Sequence, residues 1–231
     1  MKSLYTLGCS FMSTDTNAPD QPTFLDQLAQ QRGWQHVNLA RAGASNFMIR
    51  LQIAHAIEHT PNYVIVGATS SDRVDLVDEN PDYRSPIKLE HIRNRGYNCA
   101  VENTVNDRNA FITSDTINNL LESRHARLPA HRIDSLKHYA ANIHEHGLQA
   151  YKDYFVVRDG LRDLTQAQIP FVFIPGPMHY FDWTEFTSNL WAGTQPWDMP
   201  NGIYNHVVNH NPPLAHEIFL QNILIKTANW A

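Results

Sequence analysis

Four short apolar runs constrain this chain more than any other feature. Residues 4–7, 36–40, 63–67 and 169–175 are too short for independent helices, and each leads within a few residues into a turn bearing glycine. The segments between them carry apolar side chains at helical spacing, so strands alternate with helices. Parallel strands cannot be joined by a tight hairpin; each pair needs a crossover, and right-handed crossovers lay helices against the sheet. The expected architecture is an α/β fold, a three-layer α/β/α sandwich around a mainly parallel sheet.

The helical segments have local punctuation. Residues 23–32 place Phe24, Leu25 and Leu28 on one side, with Thr23 at the capping position and Gly33 after the last turn. Residues 47–59 carry Ile49, Leu51, Ile53, Ala54 and Ile57; Ser45 or Asn46 is the expected N-cap, and Pro61 stops the helix. Residues 131–164 read as helical, and residues 214–230 as a last helix holding Ile218, Phe219, Ile223 and Leu224. Residues 14–22 are polar and proline-bearing, the signature of a surface loop. Residues 80–130, with Pro81, Pro86 and Pro129, read as an inserted, partly helical excursion within one domain spanning 1–231.

Composition narrows the function classes. A chain of 231 residues with 42% hydrophobic and 18% charged side chains can bury a sizeable core. Its net charge of −5 and lack of a long basic run argue against nucleic acid as a partner. No run approaches a membrane span and no cleavable signal is evident, so a cytoplasmic location is expected. Cys9 and Cys99 form neither a zinc motif nor a disulfide framework.

In open α/β sheets, ligands collect at the carboxyl ends of the strands. Three turns fall there: Gly8-Cys9-Ser10, Gly43-Ala44-Ser45-Asn46 and Gly67-Ala68-Thr69-Ser70. A serine on such a turn is a candidate nucleophile, and equally a helix cap or an ordinary strand exit. Cys9, its neighbour, should point the other way, into the layers.

These turns, in this order and followed by a histidine near the C-terminus, resemble the SGNH/GDSL hydrolase superfamily in blocks that cover a minor part of the chain. Leu7-Gly8-Cys9-Ser10-Phe11 is similar to the family's first block, with Cys9 in place of the acid, and the resemblance makes Ser10 the nucleophile. Asn38-Leu39-Ala40-Arg41-Ala42-Gly43-Ala44-Ser45-Asn46 has the shape of the second block, making the Gly43 N–H an oxyanion donor. The third block departs, with Thr69 where the family has a donor asparagine. His210-Asn211-Pro212-Pro213-Leu214-Ala215-His216 reproduces the spacing of the last block, which favours His210 over His216 as the base. Val207 takes the place of the triad acid, leaving Asp198 as the nearest upstream acid, or Asn205 or a backbone carbonyl as a substitute.

The resemblance implies a flavodoxin-like SGNH fold and a serine esterase or carbohydrate O-deacetylase with no cofactor. Its substrate would be a small ester or an O-acetylated carbohydrate. Asn46, Arg73 and Trp183 are candidate pocket residues; Trp183 could stack on a sugar or acyl chain, and Arg73 could hold a carboxylate or phosphate. No metal centre is expected, although His206 with His210, His144-Glu145-His146 and His179 are loose candidates. A degenerate, non-catalytic module that binds a glycan or a protein is the rival reading.

Overall fold

A computed structural model describes residues 1–13, 21–41, 43–77, 92–94, 112–117, 121, 130–191 and 213–230. In chain order these form β1 (Ser3–Leu7), α1 (Phe24–Arg32), β2 (Gln35–Asn38), α2 (Asn46–Glu58), β3 (Tyr63–Gly67), β4 (Arg73–Val77), β5 (Ile92–Asn94) and β6 (Ile112–Thr116). α3 (Ala130–Asn142), α4 (His146–Gln166), β7 (Phe171–Ile174) and α5 (Pro213–Lys226) follow.

The central sheet has four parallel strands in the order β2-β1-β3-β7. Alternation along each strand sorts the core into two halves. Leu7, Val64, Val66, Phe171 and Phe173 pack with Met48, Ile49 and Ile53 of α2 and with Val157, Leu161 and Leu164 of α4. Leu4, Ile65, Val172 and Ile174 pack with Phe24, Leu25 and Leu28 of α1 and with Phe219 and Ile223 of α5. Helices therefore cover both faces, and the fold is the three-layer α/β sandwich expected from the strand pattern. Burying each such Leu, Ile or Phe contributes about 1.5–3 kcal/mol, enough to set register by core facing alone.

The predicted local punctuation appears. Thr23 forms a capping box with Asp26, and Gly33 ends α1 in the left-handed conformation at φ +64°. Ser45 caps α2 by accepting from the Met48 N–H.

One feature differs from expectation and a second adds strands that were not expected. The stretch read as one helix over 131–164 is two, because Glu145 takes the cap role for α4 by accepting from the Leu148 N–H, while the Ile143 and His144 N–H groups both return to the Tyr139 carbonyl. The described part of the 80–130 excursion contributes strands: β6 pairs antiparallel with β4 and parallel with β5, forming a second sheet ordered β4-β6-β5. Val74 and Ile117 pack there against Leu136 of α3. No helix among the described residues is long and apolar enough to cross a membrane.

Candidate active site

The strand order reverses between β1 and β3, the position at which open α/β sheets leave a crevice at their carboxyl ends. The turns after β1, β2 and β3 carry Ser10, Gly43 and Thr69 to that same end.

The turn after β1 is tightly braced. Gly8 adopts φ +150°, and a Cβ there would lie 2.6 Å from Met12 Cγ and 2.9 Å from the Gly67 carbonyl oxygen. Only glycine lets β1 and β3 approach this closely beneath Met12. The Met12 and Ser13 N–H groups donate to the Cys9 carbonyl at 3.0 and 3.1 Å, and Ser13 Oγ donates to the Ser10 carbonyl. Asn38 Nδ2 donates to the Met12 carbonyl, and the Arg41 N–H to the Gly8 carbonyl, so the first and second turns are tied together. Cys9 is buried in the α2/α4 half of the core, as its neighbour's opposite facing requires. Ser10 is 8% exposed, and its hydroxyl makes no hydrogen bond among the described residues.

Two buried amides of α2 hold the flanking backbone. Gln52 Oε1 accepts from the Gly8 N–H at 2.7 Å while its Nε2 donates to the Gly8 carbonyl at 3.3 Å. Asn46 grips Thr69 in the same way: Oδ1 accepts from the Thr69 N–H and Nδ2 donates to the Thr69 carbonyl, both at 2.9 Å. Gln52 was not among the sequence candidates. Its signal is a polar side chain on the buried stripe that also holds Ile49, Ile53 and Ala56.

Asn46 Nδ2 also donates to Asp153 Oδ2 at 3.0 Å, and Gln149 Nε2 donates to Asp153 Oδ1 at 2.8 Å. Burial pushes the Asp153 carboxyl above the ordinary aspartate range, against the pull of those hydrogen bonds. Asn46 is thus a fully buried clamp and not the pocket-lining residue expected from sequence. Gly43 is buried at φ +80°, just ahead of the α2 cap. Thr69 is 2% exposed, and its hydroxyl has no hydrogen-bond partner among the described residues.

Arg73 does face open space. A cavity of about 510 Å³ lies beside the start of α2, lined in part by Arg73, Asp75, Arg132, Tyr139 and Gln149. Arg73 Nη1 donates to the Ala44 carbonyl at 3.0 Å, while its buried Nε has no partner among the described residues. Ser45 Oγ donates to Asp75 at 2.8 Å.

Trp183 departs from the expected role. Its Nε1 donates to the Met178 carbonyl, and Tyr154 and Phe173 pack edge-on against its ring at 4.9 and 4.7 Å, so among the described residues it belongs to the core. His216 is buried and accepts the Phe24 N–H on Nδ1 at 3.2 Å, which fixes α5 to the start of α1. His210 and Asp198, the expected base and nearest acid, lie outside the described residues, as do Val207, Asn205, His206 and Cys99.

The structure also contains a hydroxyl–imidazole–carboxylate chain that sequence reading missed. Thr6 Oγ1 meets His36 Nε2 at 2.9 Å, and His36 Nδ1 meets Asp26 Oδ1 at 2.8 Å. Thr6 is fully buried within β1, where no substrate can reach its hydroxyl, so the chain is a brace joining β1, β2 and α1.

No protein-family model matches the chain, and comparison with curated proteins finds no match.

Proposed function

We propose that the chain is an SGNH-type serine hydrolase, an esterase or carbohydrate O-deacetylase. The observation that carries this reading is the placement of Ser10 on a braced turn at the strand-order reversal, its hydroxyl unbonded among the described residues, with the Gly43 and Thr69 turns on the adjoining strands. A serine hydroxyl is a poor nucleophile until an imidazole takes its proton, and a tetrahedral oxyanion needs donors already aimed at it.

In this reading Ser10 Oγ forms a bond to the ester carbonyl carbon as its proton passes to His210. The oxyanion is met by the Ser10 and Gly43 N–H groups and the Thr69 hydroxyl, each donor worth about 10²–10³ in rate. The His210 proton leaves with the alcohol, and water then releases the acid from the acyl-enzyme. Asp198 or a backbone carbonyl is the proposed orienting group for His210. The cavity at Arg73 and Arg132, lined among the described residues by neither Ser10, Gly43 nor Thr69, is the proposed seat for the hydroxyls and acidic groups of a carbohydrate ester beyond the reacting carbonyl.

Turnover of p-nitrophenyl acetate and of O-acetylated sugars, compared among wild type, Ser10→Ala and His210→Ala, tests the reading. Both variants should lose turnover while keeping the wild-type circular dichroism spectrum. Val207 in the place of the triad acid favours a second reading, a non-catalytic module that binds such a glycan. Glycan affinity that survives Ser10→Ala, with no turnover by the wild type, would establish it.

A further inference from the structure

At its other end, α2 presents His55, Glu58 and His59. Their spacing puts them on one face of the last helical turn, and their potential ligand atoms all lie within 4.8 Å of one another. We propose that this turn is a binding site for a late first-row divalent cation of the zinc type, held by both imidazoles and the carboxylate.

Three observations support it. First, the donor set of two imidazoles and one carboxylate is that of zinc and its neighbours, whereas magnesium and calcium prefer oxygen ligands throughout. Second, His59 Nδ1 meets the His55 backbone carbonyl at 2.8 Å. Nδ1 must donate in that bond, which leaves the lone pair of the neutral ring on Nε2. A backbone carbonyl holding the second ring nitrogen is the usual support behind a metal-bound histidine. Third, the site lies on the final turn of the helix, where carbonyl dipoles add negative potential to that of Glu58.

The rings are already near each other, with centroids 4.2 Å apart. Bond lengths of about 2.0–2.2 Å require ligand atoms closer than 4.8 Å, a difference that rotation of the exposed Glu58 side chain and small adjustments of the two rings can close with His59 Nδ1 kept on the His55 carbonyl. Three protein ligands leave a coordination position for water.

The thirteen residues of α2 separate this turn from Ser45 and Asn46 by about 20 Å at 1.5 Å per residue. The cation would therefore not touch the proposed nucleophile. Its effect would be to fasten the end of α2 ahead of β3.

Zn²⁺ titration by calorimetry and native mass spectrometry tests the site, comparing wild type with His59→Ala, Glu58→Gln and the His55→Ala/His59→Ala pair. The expected result is one Zn²⁺ bound at micromolar concentration, weakened at least tenfold by His59→Ala, lost in the double variant and not mimicked by Mg²⁺. An exposed terminal turn should tolerate these changes, and unchanged circular dichroism would check folding. Absence of Zn²⁺ binding by folded wild type, or equal affinity in the double variant, would overturn the proposal.

Discussion

Asn46 holds the backbone of Thr69 through both atoms of its side-chain amide, at 2.9 Å each, and is itself held by Asp153. The turn that carries the proposed oxyanion donor is positioned from the first residue of a helix on the neighbouring crossover. Asn46→Ala leaves two buried backbone groups without partners and should cost about 2–4 kcal/mol of stability. Asn46→Asp should cost more, because it removes the donor and sets a second carboxylate against Asp153. Urea unfolding of both variants checks the ranking.

Gly8→Ala should be among the most damaging single-methyl changes in the chain. The new Cβ meets both Met12 Cγ and the Gly67 carbonyl oxygen, in a conformation that alanine resists. A loss of about 2–5 kcal/mol is expected. Met12→Ala should not rescue it, since the backbone oxygen of Gly67 remains. Melting temperatures of the single and double variants decide this.

Two aspartates, Asp26 half-buried and Asp153 buried, should pull the pH dependence of stability in opposite directions. Burial alone would raise Asp26, yet the hydrogen bonds from His36 and Thr23 and the His36 charge hold it below its ordinary value. Its contribution is present above the ordinary aspartate range and is lost as pH falls through the lower folded value. Asp153, raised by burial, favours the folded state when protonated; that contribution is present below the ordinary range and lost as pH rises through the raised folded value. Carboxyl NMR titration should place Asp26 below and Asp153 above an unfolded-peptide aspartate. His36→Ala should move Asp26 upward, because only the Thr23 hydrogen bonds then offset its burial.

Glu185 offers a contrast on the surface. Arg162 and Arg158 both donate to its carboxylate, which holds its pKa down at about 2. With the pair in solvent its charges are screened, so Glu185→Gln should lower the melting temperature only slightly, and NMR titration should place Glu185 below an unfolded-peptide glutamate by a correspondingly small amount.

Legibility in the sequence followed the range of the interactions. Thr23, Gly33 and Ser45 act on their own helix ends, so their roles could be read from neighbours a few positions away. β1, β3 and β7 were legible because burial against both layers requires nearly continuous apolar runs, whereas β2, a half-exposed edge strand, was legible from its place between the Gly33 helix end and the Gly43 turn. The strand Arg73–Val77 was passed over although its polar–apolar alternation is a strand signal, because it is short and its pairing partner is remote in sequence. The break before α4 depends on one glutamate folding back onto its own helix, which periodicity does not report.

In the site, Ser10, Gly43 and Thr69 were legible as turn residues at strand ends. What holds them was not. Gln52 serves Gly8 and Asp153 serves Asn46 across 44 and 107 positions, and only the packed layers bring these partners together. Trp183 was open between pocket and core for the same reason: an aromatic in a loop reads either way until Tyr154 and Phe173 close over it.

The central claim, that Ser10 is an activated nucleophile, is tested most directly by intact mass after treatment with a fluorophosphonate, with wild type and Ser10→Ala side by side. The account predicts a single adduct on the wild type and none on the variant. A folded wild type that takes up no adduct, or an adduct that persists in Ser10→Ala, would contradict it.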